Sequence, residues 1–65
     1  MYSVVIPVFN SANSINLVTD KTVEYFDSSN LDYEIILVND GSDDKSWEKI
    51  KEISKIKKKI KSINL

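Results

Sequence analysis

Tyr33-Glu34-Ile35-Ile36-Leu37-Val38 runs directly into Asn39-Asp40-Gly41-Ser42-Asp43-Asp44, and the junction between the two decides the fold. The first run is short, apolar on successive positions at its centre and rich in β-branched and aromatic residues, as expected of a strand covered on both faces. The second is a dense cluster of turn and capping residues that ends the strand. A helix follows, because Trp47, Ile50, Ile53 or Ser54, and Ile56 or Lys57 recur at helical spacing. Asp43 and Asp44 fall near its positive end, where either can serve as N-cap, and Lys57 to Lys59 fall near its negative end.

Toward the N-terminus, Tyr2-Ser3-Val4-Val5-Ile6-Pro7-Val8 has the same character and reads as another covered strand. Phe9-Asn10-Ser11-Ala12-Asn13-Ser14 can cap a helix over roughly Ser14 to Phe26, with Ile15, Val18, Thr22 and Tyr25 or Phe26 as its apolar stripe. Asp27-Ser28-Ser29-Asn30 stops it. Toward the C-terminus, Ile60 to Leu65 alternates in part and reads as a third strand. Strands separated by helices pair in parallel through right-handed crossovers. The fold class is therefore α/β: a Rossmann-like β-α-β-α-β unit with a parallel three-stranded sheet in the order 3-2-1.

Sixty-five residues make one small domain that buries only about 60% of its unfolded surface. With no Cys and no His, neither disulfide nor structural zinc can reinforce it, which leaves self-association or a missing remainder. The apolar stretch Val4 to Phe9 is interrupted by Pro7 and falls far short of the ~20 residues of a membrane span. It also lacks the pattern of a signal peptide, so a cytoplasmic setting is expected. Net charge is −1 and gives no attraction to nucleic acid. Its distribution is uneven: residues 1–44 hold one lysine against eight acids, and residues 45–65 hold eight lysines against two. The basic half reads as the solvated face of a helix, with peripheral contact to an anionic membrane as the alternative.

Ligands of open parallel sheets collect at the carboxyl ends of the strands, where Pro7-Val8-Phe9-Asn10 and Asn39-Asp40-Gly41-Ser42 lie together. Phe9 can offer a ring face to a flat base, and Asp40 can accept a hydrogen bond from a ring N–H. Gly41 permits a turn with positive φ. Such a set suits uracil, whose imide N–H must be satisfied when buried. Each residue also has a plainer reading: Phe9 as core, Asp40-Gly41 as a simple turn, Trp47 as packing between helix and sheet. No Gly-x-Gly-x-x-Gly and no Gly-Lys-Ser/Thr loop is present, which argues against dinucleotides and P-loop ligands. A phosphoacceptor receiver domain would need an acidic pair where Phe9-Asn10 stands.

Ser3-Val4-Val5-Ile6-Pro7-Val8-Phe9-Asn10, followed one helix later by Tyr33 through Asp44, resembles the N-terminus of family 2 glycosyltransferases with the GT-A fold. Their first strand ends in Pro-x-Tyr/Phe-Asn and their second in Asp/Asn-Asp-Gly-Ser-x-Asp. The resemblance runs along the whole chain but covers only the opening of a catalytic domain. It implies that residues 1–65 are an incomplete nucleotide-sugar-binding domain, with Pro7 and Phe9 lining the base and Asp40 contacting its imide. Asn39 stands where Asp is commoner. A nucleotide-diphosphate sugar, with a UDP-sugar foremost, is the implied donor, and a glycan or lipid-linked molecule the acceptor. The family's Asp-x-Asp metal motif and acceptor-activating carboxylate fall beyond residue 65, so the implied divalent metal is not bound by these residues and no catalytic residue is assigned. The rival expectation is a small self-associating α/β module without activity. Either way, association into a homo-oligomer is expected from an exposed edge at Tyr2 to Val8.

Overall fold

The computed structural model describes every residue except Asp43, so the proposed capping role of that residue lies outside the described residues. The elements run β1 (Tyr2–Val8), α1 (Ile15–Ser28), β2 (Tyr33–Asn39), α2 (Ser46–Ile56) and β3 (Ile60–Asn64). The strands form one parallel sheet with β2 in the centre. Val4 is level with Ile35, and Ile35 with Ile60; Val8 is level with Asn39, and Asn39 with Asn64. The β-α-β-α-β order and the parallel three-stranded sheet agree with the sequence reading.

Period-two geometry sorts the strand residues onto two faces. Tyr33, Ile35, Leu37, Val8 and Ile60 are buried together with Ile15 from α1 and Ile50 from α2, so both helices cover the same face. Ile35, Leu37 and Ile50 have no exposed surface. On the other face Val5 and Ile63 are exposed, Pro7 is exposed, and Ile36 and Val38 are half-buried. The continuous apolar runs led to the expectation of two covered faces, and this structure covers one. Trp47 is half-buried against the core, as its packing role required.

The stripe of α1 differs from the expected one. Val18 is 43% exposed, while Thr19 is buried, and the covered line runs Ile15, Thr19, Val23, Phe26. Steps of four, four and three keep these within about 80° of one another around the helix, whereas Val18 falls about 60° to the other side of Ile15 and so about 100° from Thr19, toward solvent. The helix also continues two residues past Phe26. Asn30, with φ 55°, ends it in a Schellman arrangement in which the Leu31 N–H donates to the Phe26 carbonyl (3.3 Å) and the Asn30 N–H to that of Asp27 (3.2 Å).

At the amino edge, Phe26 stacks on Tyr33 with centroids 5.1 Å apart and Lys59 lies 4.4 Å from the Tyr33 ring. The Tyr33 hydroxyl donates to Asp27 Oδ1 (2.9 Å), and burial together with this acceptor raises its pKa. These contacts close the lower end of the core. Leu37→Ala should cost about 2–5 kcal/mol and unfold much of a domain this small, while Val5→Ala, on the open face, should stay within about 1 kcal/mol of wild type in urea denaturation.

Candidate nucleotide-binding edge

Because β1 and β2 are parallel and in register, they end level, Val8 beside Asn39, and both chains leave the sheet at the same edge. The Asp40 N–H extends the pairing by one rung to the Val8 carbonyl (3.0 Å). Pro7, Phe9 and Asp40 all lie at this edge and all are exposed. Phe9, 60% exposed, is therefore not a core residue. Gly41 takes φ 69°, as its place in the turn required. A Cβ there would meet nothing within 4 Å, so glycine is needed for backbone freedom and not for space.

What holds the two loops together was not foreseen. Three consecutive backbone N–H groups of the first loop donate to side chains of the second: Asn10 to Ser42 Oγ (3.0 Å), Ser11 to Ser46 Oγ (2.8 Å) and Ala12 to Asp44 Oδ2 (3.2 Å). Asn10 itself is left-handed, φ 47°. Ser46 donates both its N–H (2.9 Å) and its hydroxyl to Asp44 Oδ1. Asp44 therefore caps α2 from two residues before the helix begins, and the N-cap position proper, Lys45, makes no side-chain cap. The signal was present in the sequence as Ser42-x-Asp44-x-Ser46, but nothing local says that alternate side chains reach a loop more than 30 residues away.

Hydrogen bonds from Ser46, foremost its hydroxyl, and from the Ala12 N–H favour the charged carboxylate and hold the Asp44 pKa below its usual value. Both its oxygens are engaged by protein donors. The divalent metal implied by the resemblance finds no donor set here: among the described residues, no group of carboxylates is arranged to hold an ion.

Asn39 is buried, its Nδ2 donating to Asn64 Oδ1 (2.8 Å), and its own Oδ1 accepts no hydrogen bond from the described residues. A groove of about 210 Å³ lies on the flanks of the helices, lined by Asn16, Lys49, Glu52, Ile53 and Ile56. It contains no residue of the two loops. The Lys57–Asp20 ion pair beside the helices (3.4 Å) is exposed and contributes little.

A carboxyl whose pKa is lower in the folded state contributes stability that is present above its unfolded pKa, about 4, and lost as pH falls through the folded value. Asp44→Asn should therefore flatten the acid limb of the stability curve below about pH 4 while lowering stability at neutral pH. Chemical denaturation at stepped pH measures both.

The profile of Glycosyl transferase family 2 matches residues 3–65. An undecaprenyl-phosphate 4-deoxy-4-formamido-L-arabinose transferase of Edwardsiella ictaluri is 46% identical over 50 residues, which is 77% of this chain and 15% of that protein. The uncharacterized glycosyltransferase YkcC of Bacillus subtilis is 38% identical over 97% of this chain and 20% of its own length. The putative glycosyltransferase CsbB of the same organism is 30% identical over 98% and 20% respectively. The chain thus spans a fifth or less of these relatives. By the match along nearly its whole length, this chain belongs to glycosyl transferase family 2.

Proposed function

We propose that the chain is the N-terminal, nucleotide-binding part of a glycosyltransferase whose whole form transfers a sugar from a nucleotide-diphosphate sugar, a UDP-sugar, to a glycan or lipid-linked acceptor. The observation that carries this reading is Phe9 and Asp40 exposed at one carboxyl edge, in a chain of this family. Phe9 supplies a stacking face, Pro7 a rigid wall beside it, and Asp40 an acceptor for the imide N–H. A relative named for transfer to undecaprenyl phosphate supports a lipid-linked acceptor. Work on such an acceptor would take place in the cytoplasm at the membrane surface. Among the described residues no helix is long and apolar enough to cross a membrane, so contact through this part would be peripheral.

Among the described residues no carboxylate group is arranged to hold a metal, and the charge stabilisation of a diphosphate leaving group is assigned here to the rest of the whole enzyme. The isolated chain should neither transfer sugar nor hydrolyse a nucleotide sugar, and turnover by the purified chain would contradict this. Binding of uridine diphosphate should be weak at best. Where millimolar nucleotide shifts amide resonances, Phe9→Ala should weaken the response about tenfold, since base stacking on an aromatic ring contributes about 1–3 kcal/mol. Asp40→Asn should weaken it likewise, with folding unchanged in both. Shifts insensitive to both substitutions would sink the assignment.

A second reading, a self-associating module without activity, is favoured by the uncovered face and edge. Val5, Pro7, Ile36, Val38 and Ile63 form an apolar surface on the side away from the helices. Since the Tyr2 N–H points to β2, where it meets the Asp32 carbonyl (2.9 Å), Ser3, Val5 and Pro7 direct their backbones to the free edge. Pro7 has no N–H to offer there, which leaves the amino-terminal half of the strand as the pairing edge. Sedimentation at micromolar concentration should show a dimer or larger species, reduced to monomer by Val5→Lys; a folded wild-type monomer would refute association.

A further inference from the structure

In doubly wound sheets the N–H groups of the first β-α turn form the natural seat for phosphate, because they converge at the positive end of a helix. In this chain the same row of donors is already taken. Asn10, Ser11 and Ala12 each donate to a side chain of the other loop, and the Ala12 N–H donates to a carboxylate. That carboxylate also receives the Ser46 N–H, so one anion bridges the loop that precedes α1 and the first turn of α2. Ser46 carries its influence further, because the hydroxyl that accepts from Ser11 donates to Asp44.

We infer that Asp44 is the internal anion of the β1–α1 turn. It positions the loop that carries Phe9 and excludes phosphate from the turn, so that this edge recognises the nucleoside portion of a nucleotide and not its phosphates. An entering phosphate would meet no open donor among these three and would face an exposed charge of its own sign, held against the turn by hydrogen bonds. The neutral hydroxyls of Ser42 and Ser46 complete the seal without adding a charge. Asp44 is thereby a positioning residue: it touches the loop and not the base. The assignment of a nucleoside to this edge rests on the reading given above, whereas the occupation of the turn does not, and the two fail separately.

The test is amide NMR of the 65-residue chain with inorganic pyrophosphate, uridine and uridine diphosphate as probes. In the wild-type chain, millimolar pyrophosphate should leave the Asn10, Ser11 and Ala12 amides without saturable shifts. Uridine diphosphate should bind no more than about twofold tighter than uridine. In Asp44→Ala the exchange of the Ser11 and Ala12 amides should rise about tenfold or more relative to those of Ile35 and Leu37, which report the intact core. Asp44→Asn, which keeps the shape and loses the charge, gives the same comparison at smaller amplitude if the alanine variant does not fold. Saturable movement of these three amides with pyrophosphate in the wild type would overturn the inference. So would a folded Asp44 variant in which their exchange is unchanged. Failure of both uridine and uridine diphosphate to bind would sink the nucleoside reading alone, because the pyrophosphate and exchange results still decide the role of Asp44.

Discussion

Parallel pairing of β1 with β2 is the constraint on which the rest of the structure depends. Two neighbouring strands that run the same way must be joined by a crossover, and here α1 provides it. Because the register puts Val8 level with Asn39, the two chains leave the sheet side by side. An antiparallel pair would have sent them to opposite ends and separated Phe9 from Asp40 by the length of the sheet. The burial of Ile35 and Leu37 fixes this register, since a slip of one residue would turn both away from Ile15 and Ile50 and bring Glu34 and Ile36 into the core.

Register alone does not shape the edge, because a loop that leaves a strand has unpaired N–H groups. Those of Asn10, Ser11 and Ala12 find acceptors on Ser42, Ser46 and Asp44. The acid-rich turn thus satisfies donors of the loop before α1 and of the first residue of α2, where negative charge is favoured by the helix dipole. Asp40 takes no part in that service, although it and Asp44 are both exposed. The two carboxylates, four positions apart, therefore differ in their partners: that of Asp44 is bonded to the turn, and that of Asp40 is the one proposed above to meet a ligand.

Much of this was legible in the residues themselves. The apolar runs marked β1 and β2, the break at Asn39-Asp40-Gly41 marked the edge, and Gly41 marked the positive φ found there. The stripe of α1 was misplaced at Val18 because Thr19, a polar type, occupies the buried position. The end of α1 was set two residues short because Asp27-Ser28 looks like turn chemistry, while the stop is made by the left-handed Asn30. The stitching of the loops could not be read locally, since each hydrogen bond joins residues more than 30 positions apart and depends on the sheet already being formed. The apolar character of Val5, Ile36 and Val38 suggested a second covered face, whereas the described residues leave that face largely open.

The central claim, that the edge formed by Phe9 and Asp40 receives the base, is most directly examined by transferred nuclear Overhauser effects between millimolar uridine diphosphate and the chain, a measurement suited to weak binding. The expected result is contact between the uracil ring protons and the Phe9 ring. Contacts instead to Asn16, Ile53 or Ile56, in the groove beside the helices, would contradict the account.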